Sequence, residues 1–207
     1  MHAPSENGTS EENDSLTVTD RSKAGHYEIL GETYAKLEFF ENKWNPYSRF
    51  LDVDKVDLIL RRKAASGEKI YREVQVKFGK LYEFGGAKWE RELFDCSSWR
   101  FFKEDEFADQ LDQKDFFVAY ILVRDTGYKG DIFIFPVRDF VEKIIRCAIP
   151  SKSRKHGSLQ KVYISHLRES DRWFLRRMSH FSAVTDQTCL DVTEYRRNFS
   201  ILLREIA

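Results

Sequence analysis

The chain has 207 residues, 42% of them hydrophobic and 14% aromatic, and its 34 Lys+Arg balance 34 Asp+Glu to a net charge of zero. That is enough apolar material for one well-filled core, and it excludes a strongly basic protein that coats nucleic acid by charge alone, though not a local basic surface. Three cysteines without a CxxC pair exclude a disulfide scaffold; no run reaches the ~18 apolar residues of a membrane span, and residues 1–25 lack the apolar stretch of a signal peptide, so an intracellular, cytoplasmic protein is expected.

Residues 1–24 are rich in Ser, Thr, Asn, Asp and Glu. They bury too little to offset ordering entropy and are predicted as a disordered tail. Residues 25–207 are predicted to form a single domain, with a core over about 27–149 and a small C-terminal extension over 159–207. Ile29, Tyr34, Leu37 and Phe40 recur at helical spacing and predict a helix over 27–41, stopped by Asn45-Pro46. Two strands follow, 56–62 and 70–78, joined by a turn at Ser66-Gly67. Residues 87–103 give no clear pattern. A helix is expected over 104–111, where Phe107 and Leu111 are four apart.

The apolar run 116–124 reads as a central strand buried on both faces. The segment 126–130 turns the chain into a strand over 131–136. Residues 137–149 read as a helix, with Val137, Phe140, Val141, Ile144 and Ile145 on one side. The stretch 150–158 is a basic connector. Short strands are expected at 162–167 and 173–175. A helix over 193–206, with Tyr195, Phe199, Leu202 and Leu203 as its stripe, closes the chain. This order predicts an α/β fold around a mixed sheet.

The chemistry concentrates in the first two strands. Alternate side chains of a strand point to opposite faces, so Glu73, Gln75 and Lys77 share a face while Val74, Val76 and Phe78 take the other. Asp57 lies in an apolar run, where an unpaired carboxylate is costly. The hairpin brings that carboxylate beside a row of carboxylate, amide and ammonium. Such a set suits a hard divalent cation and an attacking water. Basic clusters include Arg61-Arg62 and Lys152, Arg154 and Lys155, all candidates for phosphate contact. No Cys/His cluster suggests zinc, and no glycine-rich phosphate loop is present.

The acid on one strand, Asp57, followed by Gln75-Val76-Lys77 on the next, resembles the PD-(D/E)XK nuclease superfamily of restriction enzymes and Holliday-junction resolvases, in its QxK variant. The resemblance implies a restriction-endonuclease-like αβββαβ core, a central mixed sheet flanked by helices. It implies a Mg²⁺- or Mn²⁺-dependent endonuclease acting on DNA, often as a homodimer. An acid on the first helix often completes the family site; Glu32 is the match and Glu28 lies one turn away. Asp57, Gln75 and Glu32 would then hold the metal and Lys77 would assist the water. Gln75 stands where the family carries an acid, and Glu73 can restore the charge. The alternative is a catalytically inactive nuclease-like module that binds nucleic acid or a protein partner.

Overall fold

The structure, a computed structural model, describes residues 18–48, 55–83, 87–151 and 159–204. Helix α1 (Val18–Glu41) leads into a meander of β1 (Asn45–Ser48), β2 (Leu58–Lys63) and β3 (Lys69–Tyr82), with β2 hydrogen-bonded to both neighbours. Helix α2 (Lys88–Leu93) precedes β4 (Phe94–Lys103), and a 3-10 turn at Glu104–Gln110 leads to β5 (Phe116–Arg124) and β6 (Gly127–Pro136). An α-helical turn, Val137–Asp139, continues as a π-helix, Phe140–Ile145. Then come β7 (Ile149–Pro150), β8 (Leu159–Leu167), β9 (Trp173–Arg176), β10 (Cys189–Asp191) and two 3-10 segments, Thr193–Tyr195 and Phe199–Leu203.

One sheet joins all ten of these strands among the described residues. It is antiparallel throughout except where β5 runs parallel to β3, so the fold is mixed α/β. Both faces of β5 are covered, and Phe116 to Val123 are all buried. Helix α1 lies on one face. On the other, Phe140 of the π-helix meets the rings of Phe102 and Phe107, each at 5.3 Å between centroids. The apolar side expected for residues 137–149 is buried, although the helix ends at Ile145. The main core runs from Ala35 to Leu202 and takes in Val162, Ile164 and Leu175. The C-terminal stretch therefore completes the core rather than extending it. Among the described residues no helix is long and apolar enough to cross a membrane.

Several expectations are corrected. Helix α1 starts at Val18, so residues 18–24 are helical rather than tail; residues 1–17 lie outside the described residues. Of the stripe expected to bury α1, Tyr34 packs against the core and stacks on Tyr128, and the rest points outward. Ile29, Leu37 and Phe40 are exposed, while Ala35, Glu38 and Phe39 are buried, with Gly31. Gly31 lets the helix approach the sheet there: a Cβ on Gly31 would lie 3.3 Å from the Cβ of Phe78. The segment 104–111 is a short 3-10 turn. The closing helix is absent too. Arg197, at φ 52°, turns the chain out of helical geometry between two 3-10 pieces.

Candidate active site

The site sits at a fork in the sheet. Strand β3 pairs with β2 up to Val74, opposite Leu58. It pairs with β4 only at Leu81 and Tyr82, opposite Ser98 and Ser97. Its other edge is covered by β5 from Glu73 to Leu81. Between Val74 and Leu81 the first edge has no strand partner. Backbone groups left there need other partners, and two side chains supply them. Val76 N–H donates to Asp57 Oδ2 at 2.6 Å, and Arg100 donates to the Phe78 carbonyl at 2.6 Å. Asp57 itself stands one residue before β2, its N–H donating to the Val74 carbonyl at 3.0 Å.

The fork opens into a cleft of about 290 Å³. Glu28, Gly31 and Glu32 reach it from α1; Lys55, Val56 and Asp57 come from the approach to β2; Gln75, Val76, Lys77 and Phe78 come from β3; Arg100 comes from β4. The close packing at Gly31 brings both helix acids to the rim, and Tyr27 stacks on Phe78 with centroids 4.9 Å apart. Three carboxylates face three cations among these residues, so the cleft is mixed in charge.

The sequence candidates divide accordingly. Asp57, Gln75, Lys77 and Glu32 share the cleft, and so does Glu28. Gln75 is 7% exposed, and its Oε1 is buried without a hydrogen-bond partner among the described residues. Lys77 is 9% exposed; its ammonium pairs with Glu106 Oε1 at 2.5 Å and lies 5.6 Å from the Phe107 ring centre. Glu32 pairs with Lys36 one turn on, at 3.4 Å. Glu73 does not line the cleft, nor do Arg61 and Arg62. Arg61 contacts the Tyr47 hydroxyl and Arg62 lies over Trp44, at the β1 edge of the sheet. Lys152, Arg154 and Lys155 lie outside the described residues.

Sequence reasoning missed Glu106, Lys55 and Arg100. Lys55 donates to the Glu106 carbonyl at 2.5 Å, so the turn carrying Glu106 is pinned to the cleft from two sides. No local pattern marks Glu106, which meets Lys77 across 29 positions of chain. Among the described residues no three Asp, Glu, His or Cys side chains converge into a metal-binding group. Compared with protein-family models, with curated proteins and with solved structures, the chain matches none.

Proposed function

We propose that this protein is a metal-dependent nuclease of the PD-(D/E)XK type that hydrolyses phosphodiester bonds in DNA. The observation that carries the reading is the fork, where Asp57, Gln75 and Lys77 share one cleft with Glu32 at its rim. Helix α1, the meander of β1 to β3 and the parallel pairing of β5 with β3 support a restriction-endonuclease-like core.

The donors suit Mg²⁺ or Mn²⁺. Mg²⁺ uses one or two carboxylates and keeps several waters, so Asp57, Glu32 and the amide oxygen of Gln75 are a sufficient set. The buried, unpartnered Gln75 Oε1 is an acceptor that a cation would satisfy. A divalent ion held there by Asp57, Glu32 and Gln75 would supply Lewis acidity toward the scissile phosphate and a bound water. Lys77 supplies fixed positive charge where charge grows on the phosphate, and Glu106 holds its ammonium in position. Lys55 and Arg100 attract phosphate oxygens to the same opening. Arg61, Arg62, Lys152, Arg154 and Lys155 are proposed as further phosphate contacts, and a homodimer as the form that cuts both strands.

The second reading, an inactive module, draws on the same pair. Lys77 is already neutralised by Glu106, and Gln75 carries no charge. Supercoiled plasmid with Mg²⁺ or Mn²⁺ separates the two. The wild type should nick or linearise it, and Lys77→Ala should lose at least a hundredfold in rate. Cleavage undiminished in Lys77→Ala sinks the assignment of Lys77. A wild type inert with both metals establishes the inactive module.

A further inference from the structure

Among the described residues, the sheet face that carries α1 is not fully covered. Helix α1 shields β3 as far as Phe78, where Tyr27 stacks. At the far end, a second small core of Phe94, Phe174, Phe181 and Cys189 packs against Trp89 and Leu93 of α2. Between them the described residues leave open a strip of β3, β4 and β8. Tyr82 stands opposite Ser97, Trp99 opposite Tyr163, and Phe101 opposite Lys161. Paired residues share a face, so these side chains form one row.

The row is aromatic, cationic and exposed. Trp99 is 43% exposed, Tyr82 38% and Phe101 37%. Lys161 Nζ lies 4.5 Å from the Trp99 ring centre and 4.7 Å from that of Tyr163, and no carboxylate pairs with it among the described residues. Lys80 lies over Tyr82 at 5.5 Å, with its ammonium 2.7 Å from Asp125. The segments 78–82, 97–103 and 159–163 contain no Asp or Glu. In a chain of zero net charge, a strip of rings and ammonium groups whose strand segments carry no acid complements a polyanion whose bases offer flat faces. Duplex DNA hides those faces within its own stack, whereas an unpaired strand presents them. The strip also reaches the cleft, because Phe78 lines the cleft and begins the β3 side of the row.

We propose that this open face binds single-stranded DNA, with bases stacked on Trp99 and Phe101 and a phosphate held by Lys161, leading the strand toward the cleft at the fork. The choice of DNA rests on the nuclease reading; the binding strip rests on its own residues.

The test is fluorescence anisotropy of a labelled deoxyoligonucleotide of about 12 nucleotides, in EDTA to prevent cleavage, against the same sequence as duplex and as RNA. The wild type should bind the single DNA strand more tightly than either. The double variant Trp99→Ala/Phe101→Ala should lose at least tenfold in affinity with its melting temperature unchanged. Lys161→Gln should lower the slope of log affinity against log salt by about 0.7, one phosphate's share on a single strand. Binding should quench tryptophan fluorescence, and Trp99→Phe should abolish the quench while retaining most of the affinity. If the double variant does not fold, Lys161→Gln and Trp99→Phe decide. Unchanged binding in the variants, or duplex or RNA bound as tightly as the single DNA strand, overturns the proposal. Plasmid cleavage by the same proteins keeps the two readings apart. Cleavage with variant-insensitive binding removes the strip and leaves the nuclease. Variant-sensitive binding without cleavage removes the nuclease and leaves the strip.

Discussion

The carboxylate of Asp57 accepts the Val76 N–H where β2 leaves β3, so it has a structural task besides any role toward a metal. Removing the acceptor strands that N–H, and Asp57→Ala should lower stability by about 1–3 kcal/mol. Asn keeps an acceptor oxygen for that N–H, so Asp57→Asn should lose less stability in urea than Asp57→Ala. Both variants should lose Mn²⁺ affinity in titration calorimetry, since both remove the charge. Mn²⁺ bound as tightly by Asp57→Asn as by wild type would refute the ligand role while leaving the structural one. Gln75 gives the complementary case. Gln75→Glu puts a carboxylate at a site that is 7% exposed, in the cleft that Lys77, paired with Glu106, also lines. Desolvation opposes ionisation there, and Lys77, the cation on the same strand face, is already paired with Glu106. Without metal the variant should melt below wild type, and Mn²⁺ should restore the melting temperature with tighter binding than wild type achieves. A melting temperature insensitive to Mn²⁺ would count against any metal at Gln75.

At the scale of elements, β3 is the strand on which the site depends, because β2, β4 and β5 all pair with it. Gly79 makes this crossing feasible. A Cβ there would lie 2.7 Å from Ser98 Oγ, 2.7 Å from the Tyr120 hydroxyl and 2.8 Å from Leu122 Cδ2. These atoms belong to β4 and β5, so Gly79→Ala should push the strands apart and cost about 1–3 kcal/mol in denaturation. Wild-type stability in that variant would mean that the fork yields freely. The parts of this region that were legible in sequence are those with an uninterrupted local signal. The run 116–124 coincides with β5 because burial on both faces leaves no polar interruption. Asp57, Gln75 and Lys77 could be brought together because a hairpin pairs neighbours in sequence. Strand β4 was illegible because its alternation cancels itself. Ser98 and Arg100 point inward with Cys96 and Phe102, while Trp99 and Phe101 stand outside. The buried face of α1 was misassigned because ring size outweighed the small side chains, Gly31 and Ala35, that permit close packing. Glu106 was beyond reach because its link to Lys77 is purely tertiary.

Across the whole molecule, residues 193–204 act as a strap over elements formed far earlier in the chain. Arg197 N–H donates to the Ile132 carbonyl at 2.9 Å, and Arg196 bridges to Phe133 of β6. The two guanidinium groups meet buried acids: Arg196 lies 3.0 Å from Asp131, and Arg197 lies 2.8 Å from Glu38 of α1. Arg72 of β3 donates to the Leu202 carbonyl at 2.9 Å. The spacing of Tyr195, Phe199 and Leu202 imitates a helix stripe, yet these side chains belong to two separate 3-10 segments of the strap. Each is buried, as is Ile201. Burial of side chains of this size contributes about 1.5–3 kcal/mol apiece, so the four together are worth about 6–12 kcal/mol, close to the whole stability of an ordinary domain. Truncation after Val192 should therefore abolish cooperative unfolding. Near-UV circular dichroism should flatten, and a hydrophobic dye should bind the uncovered core. The double variant Arg196→Ala/Arg197→Ala isolates the polar part of the strap. It leaves the apolar side chains in place and strips an arginine from each of two buried carboxylates, although Arg124 still faces Asp131 and Tyr128 still donates to Glu38. It should fold, and it should unfold at a lower urea concentration than wild type, because each buried carboxylate loses a charged partner. A truncated chain that unfolds cooperatively at the wild-type temperature would mean that the strap lies on the core without holding it.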